Sequence, residues 1–296
     1  MAKREFKGSL VAMVTPFKHG EVDEAKIKEL VEFHIQNGTD VIIPCGTTGE
    51  SPTLSHDEHK RVVDVTIRAA DGRVPVVAGT GSNSTAEAID LTEHAKKAGA
   101  YGALMVVPYY NKPTQRGLIE HYKAVVETVD IPIILYNVPG RTGLNMLPET
   151  VAALAELPNI VAIKEASGNL EQMTQIINLC GDKITVLSGD DTLTLPLMAV
   201  GGKGVVSVVA NIVPKDVVEM THAFLNGDWK KAQELHLKLF PLCQAMFYET
   251  NPIPVKTAMA LMGMINGELR LPLTPMSEAN LKRLKDAMKS YGLLRQ

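Results

Sequence analysis

Eight short runs rich in apolar and β-branched residues recur along the chain, each followed by a stretch with helical periodicity. They are Ser9–Thr15, Asp40–Gly46, Pro75–Gly81, Gly102–Pro108, Pro132–Val138, Ile160–Ala166, Ile184–Asp190 and Gly204–Ala210. Most are nearly continuous apolar segments, the pattern of parallel strands covered on both faces. Strand and helix in alternation imply a parallel sheet with right-handed crossovers. Eight such units within about 210 residues favour closure into a (β/α)8 TIM barrel of the α/β class over an open doubly wound sheet. The glycine-rich dinucleotide turn is also missing. Gly79-Thr80-Gly81 comes nearest, with Ser84 where the third glycine is needed.

Between the runs, Ser55 with Glu58 and Ser84 with Glu87 have the spacing of a capping box, and Gly38 and Gly99 stand where a left-handed residue would end a helix. Beyond Ala210 the pattern becomes helical, with Lys215–Asn226, Asp228–Leu242, Pro254–Met264 and Ser277–Leu293 as segments. The expected organisation is a catalytic barrel over 1–214 and a C-terminal helical extension over 215–296.

A chain of 296 residues, 45% hydrophobic, can bury a large core. Thirty basic and 33 acidic residues give a net charge of −3, which offers no footprint for nucleic acid or an anionic membrane. Cys45, Cys180 and Cys243 are odd in number and widely spaced, which fits idle thiols rather than disulfides or a metal site. No signal-like apolar region opens the chain, and no apolar run approaches the roughly 18–20 residues that span a bilayer. A cytoplasmic location is expected.

In a barrel of this kind, chemistry gathers at the C-terminal ends of the strands. The residues there are Gly46-Thr47-Thr48-Gly49-Glu50, Pro108-Tyr109-Tyr110-Asn111, Tyr136-Asn137-Val138-Pro139-Gly140-Arg141, Lys164-Glu165 and Gly189-Asp190-Asp191. Lys164 ends an apolar run, where desolvation disfavours the ammonium and leaves an amine able to attack a ketone. The bland alternative is a lysine that snorkels into solvent. Tyr136, ending the preceding strand, can pass a proton at the reacting carbon; a boundary tyrosine is the competing view. Thr47 and Thr48 sit in a glycine-flanked turn able to present hydroxyls and amides to a carboxylate, against the reading of an ordinary turn. Arg141 can grip a carboxylate bidentately or simply face solvent. His56 and His59 lie three residues apart, but two ligands without a third are thin support for a metal, and none is expected.

Taken together in this order, Gly46–Glu50 (GTTGE), Tyr136–Gly143 (YNVPGRTG), Ile163–Gly168 (IKEASG) and Asn251–Lys256 (NPIPVK) resemble the dihydrodipicolinate synthases, within the N-acetylneuraminate lyase superfamily of class I aldolases. The resemblance covers essentially the whole chain. It implies condensation of pyruvate with L-aspartate 4-semialdehyde through a Schiff base on Lys164, with no metal or organic cofactor. It further implies a proton relay of Tyr136, Thr47 and Tyr110, the last reaching across a subunit interface. Thr47 and Thr48 would hold the pyruvate carboxylate and Arg141 that of the semialdehyde, while backbone carbonyls of Gly189 and Val206 line the site. A homotetramer built as a dimer of dimers is implied too. So is a feedback pocket for L-lysine at Ser51, Pro52, His56, His59, Asn83, Glu87 and Tyr109; Pro52 stands where many relatives carry alanine.

Three rivals stay open at this stage. A sister aldolase acting on N-acetylneuraminate or a 2-keto-3-deoxy sugar acid would share Lys164 and Tyr136 and differ around Arg141. A metal-dependent aldolase or hydrolase would use His56 and His59. A barrel that has lost catalysis would have no need for Lys164, Tyr136, Thr47 and Arg141 together.

Overall fold

The computed structural model describes residues 6–295. Its eight parallel strands are β1 Gly8–Ala12, β2 Val41–Ile43, β3 Val77–Gly79, β4 Gly102–Val106, β5 Ile133–Asn137, β6 Ile160–Glu165, β7 Thr185–Ser188 and β8 Gly204–Ser207. They hydrogen-bond in the order β2-β1-β8-β7-β6-β5-β4-β3. The ring closes between β2 and β3 through a bridge from Ile42 to Val76. There the Ile42 amide donates to Pro75 at 3.0 Å and the Gly79 amide to Pro44 at 2.9 Å. Each strand is shorter than its apolar run in the sequence. The surplus residues leave the ladder at the C-terminal ends and build the mouth of the barrel.

The outer layer comprises α1 Glu24–Gln36, α2 His56–Ala70, α3 Thr85–Ala98, α4 Gln115–Thr128, α5 Pro148–Leu154, α6 Leu170–Cys180, α7 Thr194–Ala199 and α8 Pro214–Leu225. α8 follows β8 and packs against β1, in the place of an eighth barrel helix. After it come α9 Trp229–Ala245, α10 Ile253–Leu261 and α11 Glu278–Tyr291. Leu239, Val255, Met259, Leu284 and Met288 from these helices share one buried cluster with Val11, Val31 and Val62 of the barrel, so the extension is continuous with the barrel core. Cys45, Cys180 and Cys243 are buried, and none of them forms a disulfide. Among the described residues, no helix is long and apolar enough to cross a membrane.

Side chains alternate along a strand, so every second residue enters the barrel. Leu10, Ile43, Leu104, Ile134, Leu187 and Val206 fill that interior, with Phe6 closing its N-terminal end edge-on to Tyr101. The same parity that turns Ile134 inward turns Tyr136 inward, and Ala162 does the same for Lys164.

Local punctuation explains most helix ends. Ser55 and Glu58 form a reciprocal capping box at α2, and Gly38 and Gly99 take positive φ beyond α1 and α3. The second expected capping box does not form. Ser84 makes no side-chain cap bond, because the Glu87 carboxylate is drawn instead to the Ser82 hydroxyl and to His56 Nε2.

Candidate active site

Tyr136 and Lys164 are register partners on adjacent strands. Both are buried, and Lys164 Nζ lies 4.2 Å from the centroid of the Tyr136 ring. The ammonium meets the electron-rich ring face, yet it makes no hydrogen bond or ion pair to a described residue. Its field reaches Asp190 and Asp191 just beyond β7. Burial pushes both carboxyls up from the usual range, and the Lys164 charge pulls them back. Asp191 accepts the amides of Val208 at 2.9 Å and Val209 at 3.1 Å. The sequence placed these two acids at a strand end and assigned them no role; consecutive carboxylates at that position were the available signal.

Next to them, Gly189 donates its amide to Glu165 at 2.7 Å. A Cβ there would stand 2.5 Å from the Ala166 Cβ, so β7 can approach the end of β6 only with glycine. Val206 is fully buried on β8, pointing into the barrel. One residue beyond Tyr136 and Lys164, facing the opposite way, lies a polar network. Glu165 accepts from Ser167 N–H at 2.7 Å, Asn137 Nδ2 at 2.9 Å and Gln172 Nε2 at 3.3 Å. Burial raises its carboxyl while these donors act against that rise. The network locks β5 to β6 and so holds the register that sets Lys164 beside Tyr136.

The Gly46–Glu50 turn closes on itself, with the Gly49 amide bonded to Gly46 and the Glu50 amide to Thr47, both at 3.1 Å. The amides of Thr47 and Thr48 take no acceptor among the described residues. Thr47 is half-buried and Thr48 buried. Beneath the turn, Glu50 adopts φ 52° and its carboxylate pairs with Lys256 at 2.5 Å. Lys256 also donates to the Thr15 carbonyl at 3.0 Å. Burial lowers its pKa and Glu50 works against that. Farther along, Asn251 Nδ2 donates to the Thr48 hydroxyl at 3.0 Å, and Arg141 Nη2 donates to the Asn251 carbonyl at 3.1 Å. The Asn251–Lys256 motif therefore clamps the threonine turn and the Arg141 loop from the far end of the chain. No spacing in the sequence announced that role.

A cavity of about 410 Å³ opens above Tyr136, lined by Thr47, Tyr136 and Arg141 and, continuing outward, by Ser51, Pro52, His56, His59, Glu87 and Tyr109. The side chains expected in two separate sites thus border one continuous space. Lys164, Thr48, Gly189 and Val206 are not in its lining; Lys164 lies across the Tyr136 ring. Asn83 is outside it as well, its carbonyl accepting from Asn111 Nδ2 at 2.9 Å. Tyr110 is 89% exposed, in a left-handed conformation with φ 73°, and does not enter the cavity. His59 donates Nε2–H to the Gly79 carbonyl at 2.8 Å, and burial lowers its pKa to about 4. Among the described residues, no three His, Cys, Asp or Glu side chains are grouped so as to hold a metal ion.

With that geometry in hand, comparison with known proteins decides the family. The profile of the Dihydrodipicolinate synthetase family matches residues 5–291. The chain belongs to this family. A curated member from Geotalea uraniireducens (strain Rf4), named 4-hydroxy-tetrahydrodipicolinate synthase, is 63% identical over 98% of this chain and 100% of its own length. Among solved members, dihydrodipicolinate synthase from Aquifex aeolicus is 54% identical with a TM-score of 0.96, covering 97% of this chain and 99% of that one. The enzyme from Cyanidioschyzon merolae, solved with lysine bound, is 45% identical with a TM-score of 0.95, covering 98% and 100%.

Proposed function

We propose that the chain is a 4-hydroxy-tetrahydrodipicolinate synthase, a lyase of the class I aldolase type that condenses pyruvate with L-aspartate 4-semialdehyde on the way to diaminopimelate and lysine. The observation that carries the mechanism is the buried Lys164 ammonium over the Tyr136 ring, with no acceptor taken among the described residues. In this reading the Lys164 ammonium passes one proton to the Tyr136–Thr47 relay, the freed amine adds to the pyruvate ketone, and that proton returns to the departing oxygen as water leaves, forming a protonated imine. That cation is the electron sink. The relay takes a methyl proton to give an enamine, which attacks the aldehyde carbon of the second substrate while Tyr136 returns a proton to the new alkoxide. The substrate's own amine then attacks the imine carbon and releases Lys164. Every electron pair moves through carbon, nitrogen and oxygen of the substrates and Lys164, so the scheme calls on no metal or organic cofactor.

Thr47 joins Tyr136 in the proton relay, the Thr47–Thr48 turn holds the pyruvate carboxylate, and Arg141 holds that of the semialdehyde. Carbonyls of Gly189 and Val206 border the site. The exposed, left-handed Tyr110 supports a relay completed by a neighbouring subunit, within a homotetramer built as a dimer of dimers in the cytoplasm. Ser51, Pro52, His56, His59, Asn83, Glu87 and Tyr109 form the set through which L-lysine inhibits, and the cavity shared with Thr47 and Tyr136 supports that coupling.

The test is pyruvate-dependent consumption of aspartate semialdehyde with EDTA present, read through a coupled NADPH-oxidising reductase. Turnover together with borohydride trapping of pyruvate on Lys164 is expected. Trapping without turnover would move the second substrate to a sugar-acid precursor, and failure of both would overturn the reading.

A further inference from the structure

We propose that Asn251 is a positioning residue that fixes the direction of the Thr48 hydroxyl, making it a donor to the carboxylate of the α-keto acid substrate. The proposal rests on the assignment of Thr48 to that carboxylate made above. Asn251 is buried, and its Nδ2 lies 3.0 Å from Thr48 Oγ1 across 203 residues of chain. An amide nitrogen carries only hydrogens, so the Thr48 oxygen accepts and its single proton must point elsewhere.

The neighbouring hydroxyls show what this contact prevents. Thr15 Oγ1 donates to the Gly49 carbonyl at 2.7 Å, and Thr53 Oγ1 donates to the Glu50 carbonyl at 3.1 Å. Both protons are engaged by backbone of the same turn. Thr48 makes no such bond; among the described residues its hydroxyl meets only the Asn251 donor, which leaves the proton for a ligand. In this orientation Asn251 Oδ1 is buried without a partner among the described residues. Reversing the amide would point Oδ1 at Thr48 and draw the hydroxyl proton toward Asn251 instead.

The two ends of Asn251 also divide its contacts. Its side chain touches Thr48, whereas its backbone carbonyl receives Arg141 Nη2 at 3.1 Å. Side-chain substitution should therefore weaken pyruvate binding and spare the semialdehyde. That split separates a directed hydroxyl from a general structural role.

The experiment is steady-state kinetics in both substrates for Asn251→Asp and Asn251→Ala, each also in a Thr48→Val background, with thermal melts to verify folding. Asn251→Asp offers only acceptors and turns the Thr48 proton toward itself, so KM for pyruvate should rise about tenfold or more. Asn251→Ala leaves the hydroxyl free but undirected and should raise it by roughly threefold to tenfold. KM for aspartate semialdehyde should stay within about twofold in both. In the Thr48→Val background neither substitution should add to the KM for pyruvate, whereas mere repulsion from a new carboxylate would persist there. Additive effects, equal losses for both substrates, or an unchanged pyruvate KM in Asn251→Asp would overturn the proposal. If the aspartate variant does not fold, the alanine pair reads the same cycle. If Thr48→Val alone leaves pyruvate KM at the wild-type value, the assignment of Thr48 itself fails, and that outcome is separate from the others.

Discussion

Lys256 and Lys164 both lie over an aromatic ring, 4.3 Å from the centroid of Phe17 and 4.2 Å from that of Tyr136. Lys256 is fully buried and engaged by the Glu50 carboxylate and the Thr15 carbonyl. Lys164 is almost as buried and, among the described residues, lies against the Tyr136 ring without a hydrogen bond or ion pair. A buried cation held by a carboxylate and a carbonyl is a structural element, and removing it leaves a charge of opposite sign without a partner. A buried lysine with its donors free is open to a substrate carbonyl. The fold places the first beneath the threonine turn and the second at the end of β6, so the clamp supports the site without competing for its nucleophile.

The sharpest way to break this comparison is to exchange the consequences of losing each lysine. Lys164→Ala should lower kcat by about 10⁴-fold or more and abolish borohydride trapping, with a melting temperature close to the parent. A large loss of stability in that variant would mean that Lys164 also holds the fold. Tyr136→Phe keeps the ring under Lys164 and removes only the hydroxyl. It should retain pyruvate trapping while condensation slows by roughly 10²- to 10⁴-fold, as single-turnover assays would reveal.

Lys256→Met should act the opposite way. It leaves Glu50 buried and charged, and should cost about 3–5 kcal/mol of unfolding free energy in urea titration. Adding Glu50→Gln should recover a substantial part of that loss. If Lys256→Met were as stable as the parent, the pair would not be the structural element described here.

The smallest effect concerns acid. Arg270, whose own amide bonds Glu50 at 3.2 Å, holds the Glu58 carboxyl down at about 2. A carboxyl depressed on folding stabilises at pH above its unfolded value near 4.5, and that stabilisation is lost as pH falls toward about 2. The pair is partly exposed, so roughly 1–2 kcal/mol is expected, and Glu58→Gln should make the slope in that window shallower by that amount. Above it, acid acts on His34, His59 and His121, which burial holds at about 3, 4 and 4. The unfolded chain takes protons below about 6.5 that these folded groups refuse, so stability already declines from there.

Much of this organisation was legible in the sequence because its signals are local. Nearly continuous apolar runs alternating with helical stretches specify a parallel barrel, and parity along β5 and β6 suffices to send Tyr136 and Lys164 inward side by side. The rule that strand ends carry the chemistry then singles out Thr47, Thr48 and Arg141. Local signals misled once, at Ser84 and Glu87, where capping-box spacing was present but Ser82 and His56 offered the carboxylate better partners.

Tertiary structure alone decided the rest. The bonds from Asn251 to Thr48 and from Lys256 to Glu50 span 203 and 206 residues, and a contact of that range leaves no periodicity or spacing behind. Nor does any pattern along the chain state which buried lysine finds a carboxylate. That depends on where Glu50 and Asp191 point once the barrel has closed. Asp191 is anchored by two backbone amides, while Glu50 turns down onto Lys256. The sequence supplied the barrel and the reactive residue types at its mouth, and folding assigned each charge its partner because partners are set by distance in space.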